Sequence, residues 1–91
     1  MMLDTKSRIA FILKYKNATY QVRVDKILYE MSNEIVFSGK YWVEIHDGKN
    51  EYFVVYKLDS GTRQYHSYFN VSLHHDVIKS IGQEIAKRGL S

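Results

Sequence analysis

Apolar residues recur at two spacings in this chain, and the change from one to the other constrains its architecture most. From Ile9 to Leu58 they return at every second position, and from Leu73 to Ile85 at every fourth. A period of two lays one face of a strand against a core, and a period near 3.6 does the same for a helix. The chain therefore reads as strands first and one helix last. The expected fold class is α+β: a meander-like, strongly twisted antiparallel β-sheet of five to six strands within about residues 8–70, followed by one C-terminal α-helix over about 72–88 that packs on one face. With 91 residues it forms a single domain, 1–91.

The strands can be paired from their patterns. Ile9, Phe11, Leu13 and Tyr15 share a face with Tyr20, Val22 and Val24 if the chain turns at Asn17-Ala18. That register sets Lys16 opposite Thr19 and Ile12 opposite Arg23, with Arg8, Lys14, Lys16, Gln21 and Arg23 on the other side. The alternation slips at Asp25-Lys26, and the adjacent Ile27 and Leu28 predict a bulge. Ser32-Asn33 is expected to turn the chain into Glu34, Ile35, Val36 and Phe37, with Gly39 breaking that run.

Tyr41, Val43 and Ile45 then alternate with Lys40, Trp42, Glu44 and His46. Asp47-Gly48 signals a hairpin. Beyond it, Tyr52, Val54, Tyr56 and Leu58 alternate with Phe53, Val55 and Lys57. A two-residue turn sets Trp42 opposite Phe53, and a four-residue loop sets it opposite Val55. Under both, Trp42, Phe53 and Val55 share a face and the Tyr-rich set takes the other. A turn over residues 59–61 leads into 62–70, where two registers stay open.

In the helix, Leu73, Val77, Ile81 and Ile85 form one apolar stripe with Ile78 beside it. Ser72 is the expected N-cap, Lys87 and Arg88 suit the last turn, and Gly89 suits the stop. Gly82 costs about 1 kcal/mol relative to Ala inside a helix. It is either a tolerated cost or a mark of close approach to the sheet or to a second copy. One helix covers part of one face only. Sheet curvature, the first hairpin, a partner subunit or a ligand must cover the other.

Composition excludes several classes of function. The absence of Cys removes disulfides, thiol catalysis and cysteine-held zinc, and the absence of Pro removes a Pro-rich ligand. No apolar run approaches the roughly 18 residues of a membrane span, so no membrane partner is expected. The first six residues lack the apolar centre of a signal peptide, which points to the cytoplasm, or to a host cytoplasm if a mobile element encodes the chain. Asn17-Ala18-Thr19 and Asn70-Val71-Ser72 then match the glycosylation pattern by chance.

His46, His66, His74 and His75 lack the spacing of a metal site; the last two diverge by about 100° on a helix. Neither a nucleophile elbow nor a glycine-rich phosphate loop occurs, and no carboxylate pair stands out. The expectation is a non-enzymatic module without metal or cofactor.

Net charge is +3, with the basic excess at the two ends: residues 1–30 hold six basic and three acidic side chains, residues 62–91 four and two, and the middle is acidic. Two faces are candidates for binding. Arg8, Lys14, Lys16 and Arg23, with Lys26 nearby, can contact phosphates, or they form a solvated face whose lysines guard an edge strand. Trp42 and Phe53, with Tyr68 or His66, can stack bases, flanked by Lys40 and Lys57. Glu44 and Glu51 share that face and repel phosphates, and the alternative is that these rings are core.

The outward helix face offers Lys79, Gln83, Lys87 and Arg88, as any surface helix does. Residues 40–88 resemble the small coactivator-type single-strand DNA-binding fold, notably at Phe69-Asn70-Val71-Ser72-Leu73 leading into the helix. The resemblance implies a nucleic-acid-binding sheet; it leaves the first 38 residues unexplained, and Glu44 and Glu51 depart from a basic binding face.

The leading functional expectation is a module that contacts single-stranded DNA or RNA. Arg8, Lys14, Lys16 and Arg23 meet phosphates, and Trp42, in the aromatic face that Lys40 and Lys57 flank, stacks on a base. The competing expectation is a protein-interaction module, either a homodimer or an inhibitor or regulator encoded by a phage or other mobile element. It binds through an open sheet face or edge.

Overall fold

The computed structural model describes residues 2–59, 61, 64–67 and 72–88. Five strands form one antiparallel meander whose sheet order is the chain order: β1 (Met2–Tyr15), β2 (Ala18–Met31), β3 (Glu34–His46), β4 (Glu51–Asp59) and β5 (Gln64–Ser67). Helix α1 (His75–Lys87) follows and packs on one face. This is the expected α+β meander with a C-terminal helix.

Turn chemistry sets each register. Ser32 and Asn33 both take positive φ, 51° and 65°, and close β2 onto β3 with Met31 opposite Glu34. Two left-handed residues give a turn whose twist matches that of the strands. Between β3 and β4, the Asp47 carboxylate accepts from the backbone N–H of Lys49 (2.9 Å) and Asn50 (2.7 Å), and Gly48 takes φ 92°. These backbone bonds hold the Asp47 pKa below the ordinary carboxylate value. The result is the four-residue loop, so Trp42 lies opposite Val55.

The first turn is at Lys16-Asn17, with Lys16 at φ 54°, and not at Asn17-Ala18. Lys14 rather than Lys16 then faces Thr19, and Ile12 faces Gln21. The register moves by two residues, so every side chain keeps its expected face.

Two irregularities lengthen the sheet beyond the expectation. β1 begins at Met2, well before residue 8, because Met2, Leu3 and Asp4 pair with Leu28, Ile27 and Lys26. A register shift between Asp4 and Ile9 separates this pairing from the rest, and the Asp4 carboxylate accepts from Lys6 N, Ser7 N and the Ser7 hydroxyl across it. Gly39, at φ 83°, does not end its strand. It lies in the bulge where three residues of β3 face Ile27 alone, since Lys26 pairs with Tyr41 and Leu28 with Phe37.

The core lies between the Tyr-rich sheet face and α1. Val22, Val24, Tyr41, Val43, Ile45, Val54 and Tyr56 from the sheet meet Val77, Ile81 and Ile85 from the helix, all essentially without exposure. The four-residue spacing of the helix stripe is therefore the core contact, as read. Gly82 is explained by close approach to the sheet: a Cβ there would lie 2.5 Å from the Tyr65 carbonyl oxygen. The N-cap is His74 and not Ser72; its Nδ1 accepts from Asp76 N at 3.1 Å. Tyr15 of β1 donates to Asp76 at 2.9 Å and ties this helix end to the sheet. Tyr65 pairs with Leu58, which settles the register of β5. The 68–71 stretch leading into the helix, and the Gly89 stop, lie outside the described residues.

Two core tyrosines differ in one respect that is testable. The Tyr56 hydroxyl donates to Ile78 O at 2.7 Å, whereas the buried Tyr41 hydroxyl meets no partner in hydrogen-bond geometry among the described residues. Burial pushes both phenol pKa values far up, and for Tyr41 the nearby Tyr65 hydroxyl adds to the effect without a bond of standard geometry. Tyr56→Phe is expected to lower stability by about 1 kcal/mol, because it removes a made bond to a helix carbonyl. Tyr41→Phe is expected to be neutral or stabilising, because it removes an unmade bond. Urea unfolding followed by circular dichroism measures both, and equal losses would contradict the assignment.

Candidate functional site: the open sheet face

Among the described residues nothing covers the sheet face away from α1, and strand alternation decides what it shows. From one end to the other, successive rows hold Lys14 and Thr19; then Ile12, Gln21, His46 and Glu51; then Ala10, Arg23, Glu44 and Phe53; then Asp25, Trp42 and Val55; then Lys40, Lys57 and His66. The expected grouping of Trp42, Phe53 and Val55 on one face, opposite the tyrosines, is what the pairing produces.

The centre of this face is aromatic. The Trp42 and Phe53 rings stack with centroids 5.6 Å apart at 24°. Phe53 remains 47% exposed, and the Trp42 indole N–H donates to Glu44 at 3.4 Å. These rings are thus not part of the core between sheet and helix. Ile12, at 64% exposure, extends the apolar surface toward the β1–β2 turn. A concavity of about 410 Å³ beside it is lined by Ala10, Ile12, Gln21, Arg23 and His46.

Carboxylates accompany the two arginines. Arg8 donates two hydrogen bonds to Asp25, Nε to Oδ1 at 2.9 Å and a terminal nitrogen to Oδ2 at 2.7 Å. Asp25 is only 2% exposed, and its carboxylate raises the Arg8 pKa above the ordinary value. Arg23 pairs with Glu44 at 2.8 Å, and His46 approaches Glu51 at 2.6 Å.

The lysines are distributed differently. Lys14 stands exposed on the open face. Lys16 lies in the turn with its ammonium 5.4 Å from the Tyr15 ring centroid, so it is not in the strand position expected for it. Lys40 lies directly opposite Lys57 across β3 and β4. The seven expected binding residues therefore fall into three groups: paired Arg8 and Arg23, the Lys14 and Lys16 corner, and a Lys40–Lys57 row beside Trp42.

Sequence reading missed one feature. Beyond the Lys26–Tyr41 row, β2 and β3 run on as an arm of residues 27–38 that α1 does not reach. Tyr29, Met31, Ile35 and Phe37 on this arm, and Met2 beside it, are 37% to 62% exposed. The signal was present in the run from Ile27 to Phe37, which is apolar on both faces, and in the length of β2: 14 residues at about 3.3 Å exceed what a 13-residue helix at about 1.5 Å per residue can cover.

Among the described residues, no three His, Asp or Glu side chains gather where a metal could sit, and no helix is long and apolar enough to cross a membrane. No protein-family model matches this sequence, and comparisons with curated proteins and with solved structures return no significant match.

Proposed function

We propose that this chain is a protein-interaction module that binds through its open sheet face, with Trp42 and Phe53 as the anchoring pair. One observation carries the reading: the face combines an uncovered stacked aromatic pair with arginines already held by carboxylates. Protein interfaces are built around aromatic anchors, and tolerate ion pairs made in advance. A phosphate-tracking surface needs unpaired cations, because its affinity comes from counterion release. Here a phosphate must compete with Asp25 for Arg8 and with Glu44 for Arg23.

Binding to single-stranded nucleic acid is the second reading. The Lys40–Lys57 row beside Trp42 favours it, with Lys14 and Lys16 as further phosphate contacts and a base stacked on the indole. Trp42 is the sole tryptophan, so its fluorescence reports on both readings. Titration with mixed-sequence single-stranded DNA and RNA at low and high salt is expected to leave the emission unchanged. Saturable quenching that weakens steeply with salt would replace the protein reading with the nucleic-acid one. In parallel, affinity capture is expected to retain a polypeptide that Trp42→Glu no longer retains, with the fold checked by circular dichroism. Equal capture by both forms would remove Trp42 from the interface.

A further inference from the structure

The two edges of the sheet are guarded differently. β5 is four residues long, and α1 sits close upon it at Gly82. β1 runs for 14 residues, and among the described residues no strand pairs with its outer side. A short or covered edge resists a further strand, and a long bare one invites it.

The regular part of the bare edge is Ile9–Tyr15, where pairing with β2 runs without a bulge. The two-residue turn at Lys16-Asn17 makes Tyr15–Ala18 a hydrogen-bonded pair, and bonded and non-bonded pairs alternate from there. Ile9, Phe11, Leu13 and Tyr15 therefore direct their backbone groups to β2, and Ala10, Ile12 and Lys14 direct theirs outward. The core layer also stops short at this edge. Val22 and Val24 of β2 are 1% exposed, whereas Ile9, Phe11, Leu13 and Tyr15 in the next row are only partly buried.

The free charge along the edge has one sign. Lys14 points to the open face and Lys16 lies in the turn, and among the described residues neither meets a carboxylate. Arg88, at the end of α1, lies over the Phe11 ring, 4.9 Å from its centroid. The carboxylates of the neighbouring segments are already engaged: Asp25 by Arg8, Glu84 by Arg88 and Asp76 by Tyr15.

We infer that β1 accepts an extended acidic peptide as a sixth strand. This contact is separate from the Trp42–Phe53 anchor and stands whether or not that pair holds a partner. Backbone bonds to Ala10, Ile12 and Lys14 give the affinity, and alternate side chains give the specificity. Apolar side chains of the peptide cover the Phe11 row on the helix side. Its carboxylates, on the other side, meet Lys14 and Lys16. A second copy suits the edge less well. Antiparallel pairing of two β1 strands that keeps apolar residues opposite each other centres on Ile12, with Phe11 opposite Leu13. It sets Arg8 opposite Lys16 and gathers Arg88 of both copies over one seam, and like charges placed opposite each other are destabilising.

The experiment is fluorescence anisotropy of a labelled peptide of about ten residues that alternates valine with glutamate, titrated with the full chain. Saturable binding is expected. The same peptide with lysine in place of glutamate is expected to bind more than about tenfold more weakly. N-methylation at the glutamates removes the N–H groups that face β1 and is expected to abolish binding, with the protein untouched. Lys14→Glu with Lys16→Glu is expected to weaken the acidic peptide by about tenfold and to strengthen the lysine peptide. Ile12→Pro removes an outward N–H that the β1–β2 ladder does not use, so the fold is kept and binding is lost. Circular dichroism of each variant verifies the fold. Trp42→Glu is expected to leave the affinity unchanged.

An acidic peptide that does not bind overturns the inference, and so does an N-methylated one that binds equally well. Loss of binding in Trp42→Glu moves the peptide to the open face and removes it from the edge. A wild type that sediments as a dimer, and that Ile12→Pro converts to a monomer, gives the edge to a second copy instead.

Discussion

Gly82→Val is expected to lower stability by more than about 3 kcal/mol, a large share of the 5–15 kcal/mol typical of a domain. Helix propensity alone points the other way, since Gly is about 1 kcal/mol worse than Ala in a helix interior. Geometry decides the sign. A Cβ at residue 82 would lie 2.5 Å from the Tyr65 carbonyl oxygen and 3.5 Å from Cε2 of Tyr56. The first is a backbone atom of β5 and cannot swing aside, so α1 must lift off the sheet. Ala forces a smaller shift than Val, and its loss is expected to be about 1–3 kcal/mol, reduced by the propensity gain. Urea unfolding of the three proteins measures the series. A Gly82→Ala protein more stable than wild type would show that helix and sheet can separate freely.

Alkaline unfolding is the second large expected effect. Tyr41 and Tyr56 are buried, and burial pushes both phenol pKa values far above the ordinary value of about 10. Above pH 10 the unfolded chain loses these two protons while the folded chain keeps them. The folded state therefore binds more protons, and stability falls as pH rises. The contribution is fully present below about pH 9 and declines above pH 10 by about 2.7 kcal/mol per pH unit, two groups at 1.36 kcal/mol each.

Two pH units above 10 remove about 5 kcal/mol, enough to unfold a domain of ordinary stability. Phenolate absorbance near 295 nm and far-ultraviolet circular dichroism should then change together between pH 11 and 12. Tyr56→Phe halves the slope. Ionisation of all eight tyrosines with the circular dichroism unchanged would contradict the burial of both rings.

Much of the fold was legible because the alternation of side chains is local. The Tyr-rich and Trp-bearing faces follow from spacing alone, and they survived a two-residue error at the first turn, since a shift of two keeps every side chain on its side. The helix stripe of Val77, Ile81 and Ile85 was legible for the same reason. The positions missed depend on atoms distant in the chain. His74 replaces Ser72 as N-cap at a helix end that Tyr15, some sixty residues earlier, holds through Asp76. Gly39 continues its strand because Ile27 lies opposite the bulge.

The candidate site divides along the same line. That Trp42, Phe53, Glu44 and the cations share a face could be read from alternation. That Arg8 is held by Asp25 and Arg23 by Glu44 could not, because each pair joins neighbouring strands in a register set by turn geometry. The exposed arm likewise needed the position of α1.

The sequence by itself determined the faces, the strand-then-helix order and the composition of each surface, since these follow from the period at which apolar residues recur. Only the tertiary structure decided which cations are held by carboxylates, why residue 82 is Gly, and which apolar surface α1 covers. Each of these depends on distances between segments that periodicity does not encode.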